Sequence, residues 1–376
     1  MQRLLWSVAF VGGLFACDRS SSSGGAEPAQ PEPPKAAPPP PMMPVPSAQP
    51  GEPAEAPDLV PPGPLLIPLR TIDFAVYTKA AVTPAVRDDA EQKVHARFPG
   101  ATLLKKPQAL PPPTVVVFAP DREELPLPTA EDLQQFGHDL TAAEVTQAAS
   151  STGAILFGWL LDKDPTFSEL RKAESLVYEV AQKTGGFIWD DATHELFSPE
   201  VWKKSRIEGW QGDLPDARRH FSVRYYMDEG HPRLASSGLA KLGLPDFVIE
   251  DVPASLSAPM EVLGTAIAQT LAEGGAVGKD GQLALDLKAL HHTAAEKALT
   301  AAAGPGATLR GHVTLAMVDP EEGDADNRIV DVRFDGYPGA TEVDRQGAAV
   351  RTILAPVPSA EPKGRPAMEQ KRRRMP

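Results

Sequence analysis

Proline decides where this chain can fold. It has 41 prolines in 376 residues, about twice the usual share, and many stand in one stretch. Residues 18–64 are built from Ser, Gly, Ala, Glu and Pro, with a serine run at 20–23 and a proline run at 38–41. Such a segment has too little apolar surface to offset the entropy of ordering. It is expected to be a disordered tether. Pro-rich chain favours polyproline geometry at about 3.1 Å per residue, so the tether has a reach on the order of 100 Å. A second stretch, residues 356–376, combines Pro, Ala and charge and ends Lys371-Arg372-Arg373-Arg374. It reads as a disordered basic tail. The fold is therefore expected between residues 65 and 355, either as two α+β regions (65–212 and 213–355) or as one continuous domain.

The N-terminus carries Arg3, an apolar run over residues 4–16, and then Cys17. That run has the length of a signal-peptide core and is too short to span a bilayer. Its end, Leu14-Phe15-Ala16-Cys17, resembles the lipobox of bacterial lipoproteins: an aliphatic residue three before the cysteine, a small residue before it, then the acceptor. Phe15 departs from the small or β-branched residue usual there. The resemblance covers only the leader. It implies cleavage before Cys17, diacylglycerol on the Cys17 sulfur, acylation of the new amino terminus, and a partner in the lipid bilayer. Two or three acyl chains anchor stably, each buried CH₂ contributing about 0.8 kcal/mol. Asp18 resembles an inner-membrane retention signal, which leaves the choice of inner or outer membrane open. The expected location is the bacterial cell envelope.

Cys17 is the chain's one cysteine, so no intramolecular disulfide can brace the fold. The formal net charge is −13. Phosphate backbones need a concentrated Lys/Arg surface, so nucleic acid is excluded as an expected partner.

Between the flanks, hydrophobic periodicity alternates between strand and helix. Strands are expected at residues 72–77, 114–119, 154–161, 187–189 and 195–197, then at 220–227, 247–252, 283–287, 308–318 and 328–334. Helices are expected at 83–98, 141–151, 257–272 and 293–303. Another is expected from Asp164-Pro165, read as cap and first turn, to a stop at Gly185-Gly186. Strands joined by hairpins and mixed with helices argue for an α+β fold with a mixed or antiparallel sheet, built from split β-α-β units of ferredoxin-like type. Residues 185–188, Asp190-Asp191 and residues 196–199 resemble a phrase in uncharacterised bacterial domain families: Gly-Gly, an aromatic/aliphatic strand, Asp-Asp, Leu-Phe-Ser-Pro. That resemblance implies no activity.

Local catalytic signatures fail on inspection. Ala235-Ser236-Ser237-Gly238 lacks the first glycine of a nucleophile elbow. Residues 275–280 have the wrong glycine spacing for a phosphate loop, and Asp280 stands where Ser or Thr should be. Three clusters remain. Asp190, Asp191, His194 and Glu195 form a candidate acid/base set, with a plain hairpin turn as the competing reading. His291, His292 and Glu296 are candidate metal ligands, though zinc needs three or four donors and no H-E-x-x-H companion exists; capping or exposed histidines are the alternative. Asp319, Glu321, Glu322, Asp324, Asp326 and Asn327 crowd oxygen donors into one loop of the kind Ca²⁺ uses, but without EF-hand spacing. A solvated hairpin tip is the preferred reading of this loop. Trp202 and Trp210 stand among Lys203, Lys204 and Arg206 and are expected to be exposed.

The leading expectation is a non-enzymatic envelope lipoprotein whose tethered module binds an envelope protein or wall polymer, with no cofactor implied. The alternatives are a cell-envelope hydrolase with a site built from dispersed residues, and a metal- or Ca²⁺-responsive module.

Overall fold

The β-branched and aromatic runs become strands, and apolar stripes at helical spacing become the helices that cover them. The computed structural model describes residues 59–66, 69–106, 111–120, 129, 133, 136–162, 166–228, 230–319 and 327–354. Cys17, nearly all of the tether, the tail, and the acidic loop residues Glu321, Glu322, Asp324 and Asp326 lie outside them.

In chain order the first elements are β1 (Gly63–Pro64), β2 (Leu69–Thr78), α1 (Pro84–Arg97), β3 (Thr102–Leu104) and β4 (Thr114–Phe118). Then come α2 (Ala142–Ala149), β5 (Gly153–Asp162), α3 (Ser168–Thr184), β6 (Phe187–Asp190), β7 (Glu195–Phe197) and α4 (Pro199–Trp202). Strands β2 to β7 form a sheet in the order β3-β4-β5-β2-β6-β7. Strand β5 lies antiparallel between β2 and β4, and β2 lies antiparallel between β5 and β6. Units β2-α1-β4 and β5-α3-β6 are thus each split by a strand of the other, which is the ferredoxin-like arrangement. Thr83 accepts from the Val86 amide and Pro84 opens α1. Thr141 and Glu144 form a capping box on α2, and Gly185 ends α3 in the left-handed region at φ +62°. Helix α3 starts at Ser168, after Phe167, not at Asp164-Pro165, which lie outside the described residues.

The second group comprises β8 (Ser222–Asp228), β9 (His231–Ser237), β10 (Asp246–Ile249), α5 (Ser257–Ala272), β11 (Ala276–Val277) and β12 (Gln282–Asp286). It ends with α6 (Thr293–Ala303), β13 (Arg310–Val318), β14 (Ile329–Arg333) and α7 (Glu342–Ile353). Its sheet runs β1-β11-β12-β13-β14-β10-β9-β8. Only β10–β14 is parallel in this sheet. The fold is therefore mixed α+β with two sheets. Strand β1 pairs with β11, and Leu59 bridges Ala316. The end of the expected tether, residues 59–64, is thus part of the second sheet: backbone pairing holds it where its side chains alone gave no strand signal. Strand β9 and helix α7 were also silent in the sequence pattern.

The inner faces share one continuous core. On the first sheet Ile72, Phe74, Val117, Phe157 and Trp159 pack under Val94 of α1 and Leu170, Ala173 and Val177 of α3. On the second, Phe247, Ile249, Leu315 and Val332 pack with Met260, Leu263 and Ile267 of α5. Each fully buried Val, Leu, Ile, Phe or Met side chain contributes about 1.5–3 kcal/mol. Gly264 lets α5 approach closely, since a Cβ there would stand 2.5 Å from the Phe247 ring. The first sheet's other face is also covered. Ala75, Tyr77, Leu156, Trp189 and Leu196 pack against Ala148, Val145 and Phe136. The β6–β7 hairpin therefore has a buried side and a second, half-covered side. Its tip docks on the second sheet, where Ser237 donates to the Ala192 carbonyl and Ser222 to that of Thr193.

Candidate functional site

Strand alternation splits the acid/base set in two. Asp190 and Glu195 are register partners across the hairpin, and Asp190 also stands opposite Phe74 of β2. Both point to the inner side. Asp191 follows Asp190 and falls on the outer side with Asp73, whose carbonyl accepts from the Asp191 amide at 3.2 Å. The four residues do not converge.

On the inner side, Asp190 is fully buried at the joint between the two sheets. Its Oδ2 accepts from Arg206 Nη2 at 3.0 Å and from Lys241 Nζ. Arg206 belongs to a π-helical turn, Lys203–Ile207, that continues α4. Lys241 lies in the 3₁₀ turn Leu239–Leu242 after β9, so its bond to Asp190 ties the second group of elements to the first. Arg206 also reaches Glu195 at 3.7 Å, and Glu195 contacts His138 Nδ1 at 3.1 Å. The Arg206 guanidinium lies over the rings of Phe197 and Trp202, 4.7 and 5.5 Å from their centroids. Burial alone would raise the Asp190 carboxyl; Lys241 and Arg206 outweigh it and hold the group below its ordinary value. Burial depresses the Lys241 ammonium, partly offset by Asp190.

Glu174 of α3 and His220, just before β8, complete this cluster. Both are buried, and Glu174 Oε1 stands 3.1 Å from His220 Nδ1. The indole of Trp210 donates to Glu174 Oε2 at 3.2 Å, and that of Trp202 donates to the Glu174 carbonyl at 3.1 Å. Burial pushes the Glu174 carboxyl up to about 8 against the pull of Arg206 and Lys241. Burial also pushes His220 well below its ordinary value. Trp202 is fully buried and Trp210 half-buried, so the expectation of an exposed pair is corrected. Of the polar residues around them, Arg206 turns inward to meet the buried Asp190, while Lys203 pairs with Glu208 at the surface and Lys204 is exposed.

On the outer side, Asp73 and Asp191 form a like-charged pair. Burial and then Asp191 raise Asp73 well above its ordinary value. Asp191 is raised by burial, against a hydrogen bond from the Trp189 indole at 3.1 Å and the field of His194. His194 sits edge-on to Trp189 at 6.1 Å and holds a left-handed backbone at φ +55°. Burial lowers its pKa, with Asp191 opposing.

The expected metal ligands stand apart from one another. His292 caps α6: its Nδ1 accepts from the Ala295 amide at 3.1 Å and its Nε2 contacts the Gly209 carbonyl at 2.9 Å. Both ring nitrogens are thereby engaged. His291 is exposed and lies 3.3 Å from Glu273, while Glu296 pairs with Lys288 at 3.0 Å. Of the acidic loop, only Asp319 and Asn327 are described. Asn327 donates to Leu244 O and Asp246 Oδ2, both at 2.9 Å. The hydroxyls of the rejected elbow are structural, Ser236 donating to Asp246 at 2.9 Å. No group of three metal-ligating side chains occurs among the described residues, and none of their helices is long and apolar enough to cross a membrane.

Sequence reasoning missed Asp73, Glu174, Arg206, His220 and Lys241. Signals existed for three of them. Asp73 interrupts the strand run Ile-Asp-Phe-Ala-Val-Tyr, Glu174 lies on the buried stripe of α3, and Lys241 is flanked by Leu239 and Leu242. A charge on an apolar face needs a partner, because an unpaired buried charge is strongly unfavourable. No protein family, curated protein or solved structure matches the chain.

Proposed function

We propose that this chain is a lipid-anchored envelope protein whose α+β body is a tethered, non-enzymatic interaction module. The observation that carries this reading is the fate of the acid/base set. Asp190 and Glu195 are bound to Arg206 and Lys241 inside a joint between sheets, and so serve to hold the body together. The LFAC sequence ending at Cys17 and the Pro-rich tether support anchoring with reach. Strand β8 ends the second sheet and leaves Tyr225 and Met227 41% and 61% exposed. That surface suits a partner protein or wall polymer.

The test is a mild-detergent pull-down of the lipidated protein from its own membranes, beside Cys17→Ser, tether-deleted and Met227→Glu versions. The reading expects a partner recovered with the anchored, full-length form and lost or weakened in the variants. Recovery of nothing by any form counts against it.

A second reading, a cell-envelope hydrolase, is favoured by one observation: Asp73 and Asp191, both with raised carboxyl pKa, beside His194. Wall-polymer and ester hydrolysis by the Cys17→Ser chain, abolished by Asp73→Asn and by Asp191→Asn, supports it. Hydrolysis unchanged by either substitution removes it.

A further inference from the structure

We propose that Glu174 and His220 form a proton-holding latch across the joint between the two sheets, one shared proton keeping the joint closed and its loss loosening it. The geometry specifies where the proton sits. The Trp210 indole is shared between the Arg206 carbonyl at 2.7 Å and Glu174 Oε2 at 3.2 Å, and Oε1 stands 3.1 Å from His220 Nδ1. Oε1, Nδ1 and the far ring nitrogen Nε2 are all buried, and none of them has a hydrogen-bond partner among the described residues. A carboxylic acid on Oε1, turned to donate to Nδ1, gives both of these atoms a partner and leaves the imidazole proton on Nε2.

Burial favours the neutral acid over the anion at this depth. From β6 comes Asp190, from β7 Glu195, from the π-helical turn Arg206, from the turn after β9 Lys241, and from the segment before β8 Asp216, itself bound to Arg218 and Arg219. Arg206 and Lys241 pull Glu174 toward its anion and Asp190 opposes them, but burial favours the neutral acid and prevails; Asp216 opposes the same two cations at His220. Releasing the Glu174 proton to solvent leaves a buried carboxylate whose Oε1 has no donor among the described residues. The joint has a mechanical consequence because Glu174 belongs to the helix on the first sheet and His220 leads into the second.

Proton counting gives the signature. When closed, the pair carries one proton, on Glu174, until it titrates at about 8. When open, the two groups return toward their ordinary values of 4.5 and 6.5. Between those ordinary values open and closed forms both hold one proton, so the joint's stability is flat. Above 6.5 the open form holds none, and opening rises about tenfold per pH unit until Glu174 titrates, about thirtyfold in all. Below 4.5 the open form holds two protons, and opening rises again as pH falls.

The experiment is hydrogen–deuterium exchange on the full chain, corrected for intrinsic exchange rates. It follows the amides of His220, Gly243 and Leu244, which bond within the joint's turns. The wild type is expected to lose protection about thirtyfold from about pH 6.5 to about pH 8. Glu174→Gln is expected to be flat over that range, and His220→Gln to begin its loss nearer pH 4.5. A flat wild type, or a Glu174→Gln variant that keeps the wild-type slope, overturns the latch. Should Glu174→Gln fail to fold, His220→Gln decides: a loss of protection beginning nearer pH 4.5 supports the latch, and a loss that keeps the wild-type onset overturns it.

Discussion

The two sides of the β6–β7 hairpin carry carboxylates one residue apart in sequence and opposite in electrostatic fate. Inside, Asp190 meets Arg206 and Lys241 and is held ionised. Outside, Asp191 has no such cations beside it among the described residues, and burial raises its carboxyl against the Trp189 indole and His194; Asp73, on the same face, is raised by burial and by Asp191. Asp190 is fully buried and Asp191 half-buried, so burial alone would neutralise Asp190 first. The difference comes from which neighbours share the face. A buried acid is stabilised as an anion only where the fold supplies cations within hydrogen-bonding distance.

The sharpest way to break this comparison is to remove Asp190. Asp190→Ala leaves Arg206 and Lys241 buried without their shared carboxylate, and is expected to cost about 3–5 kcal/mol, read by urea denaturation. The sign follows from its depressed pKa: its contribution is present above the ordinary carboxylate value and is lost as pH falls through the folded-state value. The penalty should therefore shrink in acid. A loss below about 1 kcal/mol at neutral pH would mean that the two cations find solvent or other partners.

The outer pair should respond with the opposite sign. Asp73→Asn removes a carboxyl that folding makes harder to ionise. A carboxyl with a raised folded-state pKa favours the fold below its ordinary value and loses that contribution as pH rises through the folded-state value. The variant should thus be more stable than wild type at neutral pH, by on the order of 1 kcal/mol, and indistinguishable in acid. Thermal melts at two pH values would show this, and a destabilised variant at neutral pH would assign Asp73 an unsuspected favourable partner.

Thr141→Ala provides the smallest effect and a baseline. It deletes the capping box on α2, over the outer face, and is expected to cost about 1 kcal/mol at any pH where Glu144 is ionised. A larger loss would mean that α2 holds the outer face closed over Asp73 and Asp191.

Much of the fold was legible because its signals are local. The strand runs at β2, β4 and β5, Thr83-Pro84 opening α1, and Gly185 closing α3 follow from side-chain shape and backbone freedom within a few residues. Strands β1 and β9 were not legible, since their stability comes from hydrogen bonds to distant partners. The site was half legible. The Asp190–Glu195 hairpin and the polar surroundings of Trp202 stood out, but their meaning depended on Lys241 and Glu174, far away in sequence.

By itself the sequence determined the α+β class, most element positions and the tract where proline forbids a core. The structure extends β6 to Asp190, and only then does strand alternation set Asp190 and Asp191 on opposite faces. Only the tertiary structure decided which of those faces carries cations. Periodicity assigns a residue to a side, while Coulomb interactions depend on distances of 3–4 Å between groups that chain order leaves unconnected.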